Sequence, residues 1–173
     1  MTAYHLGMSG NRTLLVMRHA KSSWKTNEPD ARRPLNARGT RDAVVAGQAV
    51  AGFAPDVVWC SPALRAQQTW QAARLGGAAC PDVRTADELY AASARTLLDV
   101  IRRTPASART ALVIAHEPGV SDLVLELSTS SRLRDEVEQK FPTAGIVALS
   151  FASDWDELGP ASAVLTDFVV PRG

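Results

Sequence analysis

The chain has 173 residues, which is the length of one ordinary domain. Hydrophobic residues make up 46% and charged residues 21%, so the composition excludes a disordered tail, a collagen-like fibre and a disulfide scaffold. No apolar run approaches the ~20 residues that a bilayer span needs, and the net charge of +1 argues against a general nucleic-acid or membrane binder.

Two features of the chain favour a cytoplasmic location. Residues Met1 to Asn11 lack the basic and apolar regions of a secretory signal, and the only cysteines are Cys60 and Cys80. No internal repeat or linker divides the sequence. We therefore expect a single domain over residues 1–173, with a flexible N-terminal extension over residues 1–11.

The first predicted elements are a strand, a helix and a second strand. Short apolar runs from Thr13 to Met17 and from Asp56 to Cys60 are typical of strands that are buried on both faces. Apolar residues at helical spacing predict a helix from Thr40 to Ala51, and Gly52 is expected to end it in a left-handed conformation.

The later elements continue the alternation of strands and helices. Ser61 as N-cap and Pro62 as first helical residue predict a helix over residues 63–75. The remaining predictions are a helix starting at Ser93, a strand over 111–115, a helix over 118–127, and closing strands over 145–151 and 163–169 at the sheet edge. This pattern indicates an α/β three-layer sandwich, with a mainly parallel central sheet flanked by helices.

Basic and polar residues follow the apolar runs. Ligands collect at the carboxyl ends of parallel strands, where this sequence places two arginines and two histidines: Arg18, His19, Arg65 and His116. Each alone is more often structural, but cations packed together repel one another unless an anion lies between them. The segment from Arg12 to Arg41 also has eight Lys and Arg against two carboxylates. We interpret this edge as an anion site.

Five ordered segments resemble the histidine phosphatase superfamily and, within it, the small SixA-type phosphohistidine phosphatases. They are Arg18-His-Ala-Lys-Ser22, Arg33-Pro-Leu-Asn-Ala-Arg-Gly39, Ser61-Pro-Ala-Leu-Arg-Ala-Gln-Gln-Thr69, Glu88-Leu-Tyr90 and Ala115-His-Glu-Pro-Gly119. The resemblance covers about residues 14–151 and implies a phosphoglycerate mutase-like fold. Ala20 stands where the wider family usually has Gly, as the SixA-like branch also tolerates. The chain lacks the long insertion that forms a lid in larger members.

The resemblance implies a metal-independent phosphatase that needs no cofactor. His19 is expected to attack phosphorus and form a phosphohistidine, while Arg18, Arg65 and His116 surround the phosphoryl oxygens. Lys21 or Ser22 is expected to contact the phosphate or the substrate. Glu88 is the positional match for a general acid, although a helix-start or solvated carboxylate is an equally good interpretation.

An open site suits a phosphohistidine on a protein partner, with this chain acting as a monomer. The alternatives are a small-molecule phosphomonoesterase of the same superfamily and a non-catalytic phosphate-binding module. A cysteine phosphatase built on Cys60 and Arg65 is less favoured. Only four residues separate the two, and Pro62 removes an amide that would bind phosphate.

Overall fold

A computed structural model describes residues 10–173, so most of the expected N-terminal extension, residues 1–11, lies outside the described part of the chain. Six strands form one sheet in the order β3-β2-β4-β1-β5-β6. Their bounds are β1 Arg12–Arg18, β2 Val57–Cys60, β3 Asp82–Thr85, β4 Thr110–Ala115, β5 Ile146–Phe151 and β6 Val164–Val169. The first four are mutually parallel, whereas β5 and β6 pair antiparallel.

Helices cover both faces of this sheet. The five α-helices are α1 Ala37–Phe53, α2 Leu64–Leu75, α3 Ala94–Ile101, α4 Gly119–Leu127 and α5 Arg132–Gln139. Successive residues of β1 point to opposite faces: Leu15 packs with the α1 and α2 side, and Leu14 packs with the α3 and α4 side. The predicted three-layer α/β sandwich is confirmed. No described helix is long and apolar enough to cross a membrane.

The first helix is longer than predicted, and the expected role of Gly52 is wrong. Helix α1 begins after Asn36, whose side chain accepts a hydrogen bond from the Gly39 amide at 2.8 Å. It continues through Gly52 to Phe53, because Phe53 still packs against the core. Ala54, with φ 47°, takes the left-handed position instead.

The start of α2 also differs from the prediction. Ala63 is the N-cap, so Ser61 lies outside the helix; its hydroxyl accepts from the Ala63 amide at 3.3 Å and contacts Nε2 of His116 at 2.7 Å. The other predicted helices and strands are present within one or two residues. Of the closing strands, β6 lies at the edge as expected, but β5 lies between β1 and β6.

Candidate active site

Three parallel strands deliver the predicted cluster to one edge of the sheet. Strand β1 lies between β4 and β5, and β4 also pairs with β2. The His19 amide donates to the Ala115 carbonyl at 3.0 Å, and the Ser61 amide donates to the Ile114 carbonyl at 3.1 Å. Residues 19, 61 and 116 therefore leave the sheet side by side, as expected for the carboxyl ends of parallel strands.

The imidazole of His19 is held in one orientation. Its Nδ1 lies 2.7 Å from the carbonyl oxygen of Ala20. A carbonyl can only accept, so Nδ1 carries the proton and Nε2 keeps a lone pair. The Ala20 amide is itself fixed by the Thr69 hydroxyl at 2.9 Å. Burial, aided by neighbouring cations, lowers the pKa of His19 to about 3, so the ring is neutral at pH 7.

The guanidinium of Arg65 lies against that lone pair. Its Nε donates to Nε2 of His19 at 3.3 Å, and the side chain is buried. Its other nitrogens donate to Asp30, at 2.7 Å to the carbonyl and 3.1 Å to the carboxylate. The Tyr90 hydroxyl donates to the same carboxylate at 2.6 Å. The hydrogen bond from Tyr90, together with Arg65, lowers the pKa of Asp30 to about 2.

Asp30 and Tyr90 were not recognised as site residues in the sequence. Asp30 lies in a loop, in a short 3₁₀ helix over Asp30–Arg32, and is 35 residues from Arg65 along the chain. Asp30 and Arg33, three residues apart, form an ion pair at 3.2 Å. This spacing is a local signal that could have indicated a role for Asp30.

His116 completes the cluster beside His19. The two ring centroids are 5.0 Å apart, and Nε2 of His116 lies 2.7 Å from the Ser61 hydroxyl. Burial lowers the pKa of His116 to about 4, with Arg65 acting in the same direction. Its Nδ1 is buried and has no hydrogen-bond partner in the described part of the chain. A buried, unsatisfied ring nitrogen next to a nucleophilic one is a place where a ligand oxygen can bind.

The remaining predicted residues lie at the rim of the cluster. Arg18 donates to the Phe141 carbonyl at 2.9 Å, and its Nε is buried without a partner among the described residues. The Ser22 hydroxyl accepts from Arg33 at 2.8 Å. Lys21 is exposed and lines a cavity together with Arg18. The arrangement as a whole places two neutral imidazoles, His19 and His116, near the guanidiniums of Arg65 and Arg18.

Comparison with known proteins decides the family. A model of the histidine phosphatase superfamily (branch 1) matches residues 14–90, which include His19 and Arg65. A protein provisionally assigned as phosphohistidine phosphatase SixA in Nakamurella multipartitia is 35% identical, with a TM-score of 0.83 over 94% of this chain and 97% of its own. The chain belongs to the histidine phosphatase superfamily.

Other relatives agree with this assignment. A second provisionally assigned SixA, from Agrobacterium tumefaciens, is 26% identical, with a TM-score of 0.77 over 92% of this chain and 99% of its own. The uncharacterised protein Rv1276c of Mycobacterium tuberculosis is 38% identical over 162 residues, which cover 90% of this chain and 100% of that protein. Its membership of the superfamily and its similarity to these proteins identify the chain as a phosphatase.

This histidine phosphatase has no large insertion over its site. Residues 76–93, between α2 and α3, hold β3 and a short 3₁₀ helix over Asp87–Leu89. This connection is short, which confirms that the large insertion expected in bigger members of the superfamily is absent here.

Glu88 lies outside the cluster. Its carboxylate pairs with Arg103 at 3.1 Å, and both side chains are about half exposed. Hydrogen bonds from its own amide and from Arg103 lower the pKa of Glu88, which favours the ionised form. A general acid must carry a proton within reach of the leaving group. The structure thus favours the interpretation of Glu88 as a solvated carboxylate in a helix start.

Cys60 is equally unsuited to the alternative of a cysteine phosphatase. It is buried, and burial raises the pKa of its thiol to about 12. Because the thiolate is the nucleophilic form, almost none would be present at pH 7.

Proposed function

We propose that this phosphatase works through a phosphohistidine intermediate on Nε2 of His19. One observation carries the proposal: the Ala20 carbonyl holds the proton on Nδ1, which leaves the Nε2 lone pair beside the Arg65 guanidinium. The low pKa of His19 supports it, because a neutral imidazole is required for attack.

The proposed reaction has two steps. In the first, Nε2 of His19 forms a bond to phosphorus while the bond from phosphorus to the leaving group breaks. Arg18 and Arg65 would balance the charge on the phosphoryl oxygens, and neutral His116 would donate a hydrogen bond to one of them from Nδ1. Lys21 and Ser22 would contact the substrate at the rim. In the second step the oxygen of a water molecule bonds to phosphorus while the bond between phosphorus and Nε2 breaks. The protons of the water leave with the inorganic phosphate, and His19 is again neutral.

We further propose that the substrate is a phosphohistidine on another protein. The short connection between α2 and α3 supports this, because a small metabolite would gain more from a site closed by an insertion. The leaving imidazole of phosphohistidine also needs less help from an acid, which agrees with the placement of Glu88 away from the cluster. A cytoplasmic location, expected from the absence of a visible secretory signal and the low cysteine content, and a monomeric state complete the proposal.

Comparing kcat/KM on two sets of substrates tests the proposal. The wild-type chain, in EDTA, would be given phosphohistidine proteins and a panel of phosphorylated metabolites. We expect the larger kcat/KM on a phosphohistidine protein. A larger value on a metabolite would identify a small-molecule phosphomonoesterase, and vanadate binding without turnover on any substrate would identify a phosphate-binding module.

A further inference from the structure

The cavity that Lys21 and Arg18 line has a volume of about 250 Å³ and lies next to the proposed phosphoryl site. It is formed by the end of β1, the first turn of α1, the loop before β5 and the C-terminal segment. Five of its seven lining residues are cations, and the other two are Pro142 and Thr143. The five are Arg18, Lys21, Arg38, Lys140 and Arg172, and we call this group the cationic cavity.

The positive charge of the cationic cavity is only partly balanced. Asp42, which is almost fully buried, lies 3.6 Å from both Arg38 and Arg172. Its other oxygen accepts from the Gly173 amide at 3.0 Å. Within residues 10–173 the two lysines and Arg18 form no ion pair, although Glu117 acts on Arg18 through its charge. The Asp42 carboxylate therefore pairs with two of the five cations, Arg38 and Arg172.

Arg18 belongs to both sites. It ends β1 directly before the proposed nucleophile His19, and its charge lowers the pKa of both His19 and His116. Its Nε is buried and has no partner among the described residues, although Nη1 is occupied by the Phe141 carbonyl. A guanidinium with an unused, buried N–H can accommodate a further acceptor oxygen.

We propose that the cationic cavity binds a second anionic group, a phosphate or a carboxylate, of the same substrate whose phosphoryl group is transferred to His19. This inference extends the proposed function. The anion site stands by itself, whereas the link to the substrate of His19 rests on the proposed function. The preferred substrate then carries two anionic groups that Arg18 bridges. For a protein substrate, the second group is an acidic side chain near the phosphohistidine; for a small molecule, it is a second phosphate or a carboxylate.

The first test measures oxyanion binding without catalysis. Crystals soaked in tungstate should show one ion at His19 and Arg65 and another in the cationic cavity. The double variant Lys21→Gln/Lys140→Gln removes two exposed, unpaired charges, so second-site affinity should fall about 10-fold or more. The matched control Arg74→Gln/Arg132→Gln removes the same charge from exposed positions that do not line the cavity, and it should keep both ions. A single ion at His19 in the wild type would overturn the proposal.

The second test measures substrate discrimination. One pair of substrates is a phosphohistidine peptide with neighbouring Asp and its Asn counterpart; the other is an alkyl bisphosphate and its monophosphate. In one pair, the member with the additional anionic group should have the higher kcat/KM. The ratio of kcat/KM between the two members should fall about 10-fold in the lysine double variant but not in the control. The pair that responds identifies the source of the anion.

The outcomes separate this inference from the proposed function. Two tungstate ions with no turnover would support the cationic cavity and contradict the phosphatase mechanism at His19. A ratio that falls equally in the lysine variant and in the control would show long-range attraction rather than a site. That result would overturn the inference and leave the mechanism at His19 intact.

Discussion

At the scale of single residues, the reactivity of His19 depends on its surroundings more than on its own chemistry. The Ala20 carbonyl and the burial of the ring keep Nε2 unprotonated. Replacing His19 with Ala should therefore reduce turnover to background, since no other described nitrogen lies in that position. Acid-labile phosphate, trapped on the wild-type chain with labelled substrate, should be absent from the variant. Retained phosphorylation of His19→Ala would move the nucleophile elsewhere.

Arg65 and Arg18 should each contribute through oriented positive charge. Arg65→Ala and Arg18→Ala should lower kcat/KM by about 10²- to 10³-fold, the range seen when one oriented electrostatic donor is removed. Vanadate affinity should weaken in parallel. Arg132→Ala, at a side chain that is 93% exposed, is the control for charge loss and should have little effect on either measurement. Unchanged vanadate affinity in both active-site variants would exclude this cluster as the phosphate site.

Glu88 offers a test of the leaving-group chemistry. Because its carboxylate is half exposed and pairs with Arg103, Glu88→Gln should lower kcat/KM by less than about 3-fold on both phosphohistidine and an alkyl phosphate, well below the usual worth of a general acid. Arg103→Gln removes the other partner of the ion pair and should behave alike. A loss of about 10²-fold confined to the alkyl ester would restore Glu88 as the acid.

At the scale of elements, the packing of α1 against α2 supports the site. Helix α2 carries Arg65, and its Thr69 hydroxyl both donates to the Arg65 carbonyl and accepts from the Ala20 amide. A shift of α2 would thus move the guanidinium and the loop that carries His19 together. Gly47 of α1 permits the close approach, because a Cβ there would overlap the carbonyl oxygen of Ala73 on α2.

Two glycines of α1 make a matched test of this packing. Gly47→Ala should destabilise the fold, because overpacking typically costs about 1–3 kcal/mol. Gly52→Ala, on the same helix with nothing within 4 Å of the new Cβ, should stabilise it by about 0.5–1 kcal/mol. Urea unfolding would give both free energies. Equal stabilisation by the two substitutions would show that the helices can separate without cost.

At the scale of the whole molecule, the active site should make stability depend on pH. His19 and His116 have folded-state pKa values of about 3 and about 4, against 6.5 for an ordinary histidine. Between pH 6.5 and 4 the unfolded chain therefore binds more protons than the folded chain. The free energy of unfolding should be highest above pH 6.5 and should fall as the pH drops towards 4.

A histidine double variant isolates this effect from the titration of carboxylates. In His19→Gln/His116→Gln, the free energy of unfolding should fall less steeply between pH 6.5 and 4.5 than in the wild type. Urea unfolding at half-unit pH steps would measure both slopes. Parallel curves would contradict the lowered pKa values, which NMR titration of the two imidazoles would then check directly.

The amino-acid sequence by itself determined the alternation of strands and helices and the edge at which the cluster forms. Apolar runs such as Thr13–Met17 predict buried strands because hydrophobic periodicity is a local property. The rule for the carboxyl ends of parallel strands then brings His19 and His116 to one edge without knowledge of the strand order. The helix α5 and the strand β3 were not predicted, because their local patterns are weak. Helix α5 has only Leu133 and Val137 as apolar residues, and β3 is a short edge strand.

Only the tertiary structure decided which groups contact one another within the site. Asp30 reaches Arg65 across 35 residues, Tyr90 reaches Asp30 across 60, and the Ser61 hydroxyl contacts His116 as well as the Ala63 amide. Glu88 pairs with Arg103, and the cationic cavity joins side chains from the two ends of the described chain. A side chain with several possible partners binds the one that packing brings within about 3 Å, and sequence spacing does not encode that distance.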